Sequence, residues 1–347
     1  MTKLESIYET MGWNKEEYQR ITKPTTENAK DSRAFCVLSG ENALTALKRV
    51  FCIEEDSFDE KFKQACSGSG QEERRITVLH SSSLCALLFF YNITEKHPLR
   101  LYVESVGEVV FQDVIFEYQN CVVEGANPSN IDVTLLGKYN GKNVILFLES
   151  KFSEYITCMQ KKLNVSYAYL REEMSRELYE KWPWDKSDEL FEKEFSISIS
   201  EYPVYLAGLK QMISHYAGIR KFERGICRLK KGQDAGKDLY NIKNNKEKQE
   251  IQERLRKFAL EGDVVLVLGS IIFDVYKNDE RHTELQEYET LYTKLMKCMA
   301  QDAIYHGSDI KILTKAYTYQ ELFGKNKNRW SKEIREFYFG KMLPDYE

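Results

Sequence analysis

Proline is scarce, with six among 347 residues, while tyrosine and phenylalanine are plentiful at 22 and 18. That balance argues against long disordered tails. The eight cysteines, at 36, 52, 66, 85, 121, 158, 227 and 298, form no CxxC pair and no Cys/His cluster at zinc-ligand spacing, which excludes the common zinc modules. Cys85 and Cys121 lie inside apolar runs, where a reduced cysteine acts as a small core residue. No apolar run approaches the ~20 residues of a membrane span. The first residues, Met1-Thr2-Lys3-Leu4-Glu5, lack the apolar stretch of a signal peptide, so a soluble protein of the reducing cytoplasm, without membrane partners, is expected. Basic excess is missing too: the net charge of −4 gives no global signal for nucleic acid, although local patches matter more than the sum. There is no internal repeat, no low-complexity tract, and no helix-turn-helix signature.

What is present is ordinary globular composition, 42% hydrophobic, in a length that suits two average domains or one enlarged α/β domain. Residues 1–70 look like a helical, polar N-terminal extension, with helices at Lys15 to Ile21, Glu41 to Phe51 and Asp56 to Cys66, closed by the flexible break Ser67-Gly68-Ser69-Gly70. A core follows over 71–322, and 323–347 form a C-terminal extension. Within the core, His80 to Tyr91 is strongly apolar after its serines and too long for an average strand, which predicts a buried helix with serine at its N-terminus. Val109 to Tyr118 has strand composition. Residues 130–136 and 143–150 are β-branched and apolar arms around a connection holding Gly137, Asn140 and Gly141, the pattern of a hairpin. An acidic, aromatic insertion at 152–201 looks helical, with a break at Trp182-Pro183-Trp184. Tyr205 to Ile219 is an amphipathic helix, 228–248 a basic loop, and Val264 to Phe273 a central strand. Glu284 to Met299 suggests a helix and Ile310 to Leu313 a short strand, before Tyr319-Gln320-Glu321-Leu322. Strands that pair in sequence, with helices on both faces, predict a three-layer α/β/α sandwich around a mixed sheet.

Asp132, Glu149 and Lys151 stand out against this frame. Glu149 and Lys151 are two positions apart at the end of an apolar strand, so they project to one face. Asp132, near the start of the partner arm, falls beside them in an antiparallel pairing. Two acids and a lysine converging at the rim of an apolar sheet are costly unless something pairs with them. A divalent cation would do so.

The element order, with Asp132 and Glu149-Ser150-Lys151, resembles the PD-(D/E)XK nuclease superfamily, whose restriction endonuclease-like core runs helix, three strands, helix, strand. The superfamily signature is an Asp opening the second strand and a (D/E)-x-K on the third. Here Glu149-Ser150-Lys151 keeps the latter, and Ile131 replaces the proline that often precedes the aspartate. Gln211 matches the glutamine many members carry on the following helix. Tyr216 lies five residues beyond it, where a Q-x-x-x-Y pattern has four. HSSSLCAL, Phe116-Glu117-Tyr118, SNIDV, ESKF and the late YQEL further resemble a bacterial group described as restriction-endonuclease-like.

The resemblance implies a metal-dependent nuclease acting on nucleic acid, DNA in preference to RNA, and sometimes as a homodimer. Mg²⁺, or Mn²⁺ in its place, takes oxygen ligands and keeps several waters. Asp132 and Glu149 suit it, with the Ser150 carbonyl as a third ligand. Lys151 would stabilise the developing charge near the attacking water, and Gln211 would orient a phosphate or that lysine. Glu117 is the candidate for a further acidic position, with Glu72 as its competitor. His80 and His215 have no evident partner in the sequence and are expected to cap or pack. Trp182 and Trp184 are expected to form local core. The basic stretches 228–248 and 325–341 would guide a polyanion toward an acidic metal site lying beside them. Two rival functions remain: a catalytically silent nuclease-fold module binding nucleic acid or a protein partner, and an unrelated α/β scaffold that uses the acidic insertion as its contact surface.

Overall fold

Asn140 and Gly141 both have positive φ, 46° and 77°, the backbone a two-residue hairpin turn demands. They join two strands paired antiparallel from Tyr139↔Lys142 to Val133↔Leu148. The computed structural model that shows this describes residues 3–21, 33–68, 75–120, 128–152, 203–239, 242, 245–275, 311–326 and 329–340. Eight helices are described: α1 Lys3–Met11, α2 Ala43–Phe51, α3 Ser57–Ala65, α4 Ser82–Phe90, α5 Pro203–Lys230, α6 Lys246–Leu260, α7 Tyr319–Asn326 and α8 Lys332–Phe339. The strands are β1 Tyr18–Arg20, β2 Arg33–Phe35, β3 Leu99–Val103, β4 Gly107–Asn120, β5 Ser129–Tyr139, β6 Lys142–Lys151, β7 Val264–Ile272 and β8 Lys311–Thr318.

Strands β3 to β8 form one mixed sheet in sequence order. β3 to β6 are an antiparallel meander, and β6, β7 and β8 are parallel. The nine residues of β7 are all buried, as expected of a strand with parallel neighbours and helices on both faces. On one face, Phe147 of β6 meets Phe222 of α5 at 6.3 Å between ring centroids, and Asn143 Nδ2 donates to the Phe258 carbonyl of α6. On the other, Ser150 Oγ donates to the Ser82 carbonyl at the start of α4. The fold is therefore mixed α/β, with helices against both sides of a six-stranded sheet.

α4 is buried from Leu84 through Phe90, and a helix apolar all round must be enclosed. Its capping serine is Ser81, whose side chain accepts from Leu84 N. Enclosure comes from curvature. Tyr317 Oη of β8 donates to the Tyr102 carbonyl of β3 at 3.4 Å, so opposite edges of the sheet approach each other, and Asn326 of α7 donates to the Arg100 carbonyl of β3. The two chain ends pack on this same side. Trp13 stacks on Phe337 at 4.8 Å and on Phe152 at 5.7 Å, and its indole N–H donates to the Phe337 carbonyl. Residues of both expected extensions thus belong to the apolar cluster that lines the sheet.

Several local expectations are corrected. Lys15 to Ile21 is not a helix but a turn leading into β1, which pairs with β2. The expected loop at 228–248 contains the end of α5, a 3-10 turn at Gly236–Asp238 and the start of α6. α1 and β3 were not anticipated. The Gly-Ser break beyond residue 68 (with Glu72), nearly all of the insertion at 152–201 (with Trp182 and Trp184) and the expected helix at Glu284 to Met299 lie outside the described residues. None of the five described cysteines, Cys36, Cys52, Cys66, Cys85 and Cys227, is in a disulfide. No helix among the described residues is long and apolar enough to cross a membrane.

Candidate functional site

The β5–β6 ladder stops at Val133↔Leu148. One step further, Asp132 faces Glu149, and its Oδ2 accepts the Ser150 backbone N–H at 2.7 Å. This charge-assisted bond fixes the aspartate where the two strands part. Ser150 turns its side chain to the opposite face, toward Ser82 and Tyr319, which leaves only its backbone on the Asp132 side. Glu149 and Lys151 project toward α5, as their spacing requires.

Glu149 is 1% exposed and has a cation or donor on each oxygen. Lys151 Nζ lies 2.5 Å from Oε1, and His215 Nε2 lies 2.7 Å from Oε2. Burial pushes this carboxyl up, but the Lys151 ammonium and His215, with their hydrogen bonds, outweigh it and hold it down at about 2. An ionised carboxylate only accepts, so His215 Nε2 is the donor. The other imidazole nitrogen, Nδ1, is 2.6 Å from Ser129 Oγ. Lys151 Nζ also donates to Gln211 Oε1 at 3.0 Å. Glu149, Lys151, Gln211, His215 and Ser129 therefore form one hydrogen-bonded chain, with Asp132 next to it in register.

α5 supplies Gln211 and His215 from one face, four residues apart. The tyrosine expected at that spacing is absent; Tyr216 is one residue further on and fully buried. Close approach of α5 to the sheet depends on Gly218, where an added Cβ would stand 2.6 Å from Asn120 Cβ of β4. Any larger residue there lifts the helix from the strands that carry the carboxylates.

Glu117 lies on β4 between the pairs Phe116↔Val133 and Tyr118↔Ile131, hence across from Asp132. It is 8% exposed and has a φ of 51°, a strained backbone for a residue with a side chain. Among the described residues, no three or more His, Cys, Asp and Glu side chains gather into a group that could hold a metal ion. Any ion here would thus rest on two carboxylates, the Ser150 carbonyl and water, which is an ordinary arrangement for Mg²⁺. Two orphaned hydroxyls lie on the same face of the sheet, that of Ser270 level with Glu149. Ser270 pairs with Glu149 in the parallel ladder, Thr134 is two residues from Asp132, and both are fully buried. Neither hydroxyl has a hydrogen-bond partner among the described residues, and a buried hydroxyl without one is costly.

His215 was not expected to matter. Its signal was available as the residue four beyond Gln211 on an amphipathic helix. His80 does pack: its Nδ1 is 2.9 Å from Tyr8 Oη, which also accepts the Arg33 N–H. Burial lowers the His80 pKa to about 4. The basic residues at the end of α5 lie away from the site. Arg228 and Lys230 sit 17 and 19 residues beyond Gln211 on α5, about 25–29 Å along the helix, and Lys230 Nζ bonds the Gly262 carbonyl at the far end of the sheet. Arg329 is spent on the His97 carbonyl and Asn92.

No family model, no curated protein and no solved structure matches the chain.

Proposed function

We propose that this chain is a metal-dependent nuclease of restriction endonuclease-like type that hydrolyses phosphodiester bonds, in DNA rather than RNA. One observation carries the reading: Lys151 bridges Glu149 and Gln211 at the strand end where Asp132 is anchored. A helix, an antiparallel meander, a helix and a parallel strand surround it in the order that the superfamily resemblance implies, which supports a three-layer restriction endonuclease-like sandwich. Asp132, Glu149 and the Ser150 carbonyl would hold Mg²⁺ or Mn²⁺. Bound there, the ion would neutralise phosphate charge and supply a nucleophilic water near neutral pH.

The protein's own groups do the rest. Asp132 is held by the Ser150 N–H, so its carboxylate does not have to be ordered when a ligand arrives. Lys151 is only partly buried, so its ammonium can meet a phosphate oxygen. Gln211 keeps it on the substrate side of Glu149. Glu117, across from Asp132, is placed to extend the acidic row.

A second reading rests on a different observation. Both oxygens of Glu149 are already satisfied, by Lys151 and by His215, and such a self-contained network suits a silent module that binds nucleic acid or a protein without cleaving. Incubating the purified chain and its Lys151→Ala variant with plasmid and single-stranded DNA, with Mg²⁺, Mn²⁺ or chelator, separates the two. The nuclease reading expects cleavage by the first with metal and none by the second. DNA binding with no cleavage in any metal supports the silent module and ends the nuclease reading.

A further inference from the structure

We infer that His215, held by Ser129, is a positioning residue that sets the orientation of the Glu149 carboxylate for a metal ion; this rests on the nuclease reading above. A glutamate side chain rotates about three bonds, so a carboxylate offered as a ligand loses affinity unless something fixes its plane. Here Oε2 is fixed by the His215 Nε2–H at 2.7 Å and the imidazole is fixed by Ser129 at 2.6 Å. His215 is 1% exposed and packed in α5 one turn after Gln211. With Oε2 committed, Oε1 is the oxygen turned toward Lys151 and hence toward the exposed side of the site.

Three further features of the fold agree. The imidazole reaches Glu149 from the helix layer, which is a different element from the sheet that carries both carboxylates, so the contact ties the layers together at the site. Ser129 opens the same strand as Asp132, three residues before it, so one strand end anchors one carboxylate directly and the other through the imidazole. The residue four positions beyond Gln211 is the one that shares its helix face, and here it is a histidine able to donate to a carboxylate. Outer partners of this kind commonly change metal affinity by about 10–100-fold when removed.

Mn²⁺ binding by isothermal calorimetry tests the inference without relying on turnover. His215→Phe is expected to weaken Mn²⁺ binding by about 10–100-fold. His215→Asn, which keeps an N–H donor, is expected to restore much of that loss. Ser129→Ala leaves the imidazole in place but unanchored, and is expected to weaken binding several-fold. It remains decisive if His215→Phe does not fold. In cleavage assays the same variants should lose kcat with the KM for DNA little changed. Wild-type binding of Mn²⁺ with equal binding by His215→Phe, or by Ser129→Ala where the former is unfolded, overturns the inference and leaves the nuclease reading standing. Failure of the wild-type chain to bind Mn²⁺ at all overturns both.

Discussion

Removing Lys151 should expose the cost of a buried carboxylate. Breaking a buried ion pair by deleting one member typically costs about 3–5 kcal/mol, because the other charge is stranded. Two features of this site reduce that figure. The Lys151 side chain is 12% exposed against 1% for Glu149, so water reaches the cationic end, and His215 still donates to the second oxygen. Lys151→Met should therefore cost about 2–3 kcal/mol at pH 7.5. Glu149→Gln alone strands no anion, and the double variant leaves no charge behind. The double variant should thus be more stable than the sum of the single losses implies, by at least about 1 kcal/mol. Urea denaturation of the four proteins gives the cycle, with the slope checked for constancy. Strict additivity would refute the reasoning, since it would mean that Lys151 and Glu149 do not sense each other. Glu149 is held below its ordinary value of 4.5, at about 2, so its contribution is complete above about pH 4.5 and fades as pH falls toward 2. In Lys151→Met the desolvated carboxyl rises, and acid destabilisation should begin at higher pH than in the wild type.

Other outcomes are equally concrete. His80 is kept neutral, its pKa lowered from 6.5 to about 4 by burial, so stability should fall as pH drops from 6.5 toward 4, by no more than about 3 kcal/mol. His80→Phe should flatten that part of a stability-versus-pH curve. Asp132→Asn can still accept the Ser150 N–H through its amide oxygen, so thermal stability should change by less than about 1 kcal/mol while metal-dependent cleavage is abolished. Gly218→Ala pushes α5 against Asn120 and should cost about 1–3 kcal/mol. It should also weaken Mn²⁺ binding by drawing His215 away from Glu149, which calorimetry on the folded variant would show.

The strands and helix that needed least inference were those whose burial is complete. β7 and α4 are apolar at nearly every position, and no environment but an interior suits them. The hairpin was legible because Asn140-Gly141 admits only one kind of turn between two apolar arms. α6 was obscured by its charge. Its apolar stripe, Ile251, Leu255 and Phe258 with Ala259, is present at helical spacing, but the lysines and asparagines before it look like loop. β3 carries a clean alternation of buried Leu99, Leu101 and Val103 with exposed neighbours, in a run too short to weigh against its surroundings. β1 exists only because it pairs with β2 across a sequence gap, and local composition cannot report that pairing. At the site, period-two spacing put Glu149 with Lys151, and the hairpin brought Asp132 alongside. The link from His215 to Glu149 crosses from helix to sheet, and its distance depends on Gly218, whose role appears only when the two elements are seen in contact. Two of the basic residues, Arg228 and Lys230, are remote for a related reason: α5 runs on to Lys230 and carries them to the opposite end of the sheet.

A crystal of the protein soaked in Mn²⁺ and measured for anomalous scattering bears most directly on the nuclease proposal. A peak bridging the Asp132 and Glu149 carboxylates, with the Lys151 ammonium displaced from Glu149 Oε1, is the expected result. An undisturbed Lys151–Glu149–His215 network with no peak near it, at metal concentrations that saturate ordinary carboxylate sites, would contradict it.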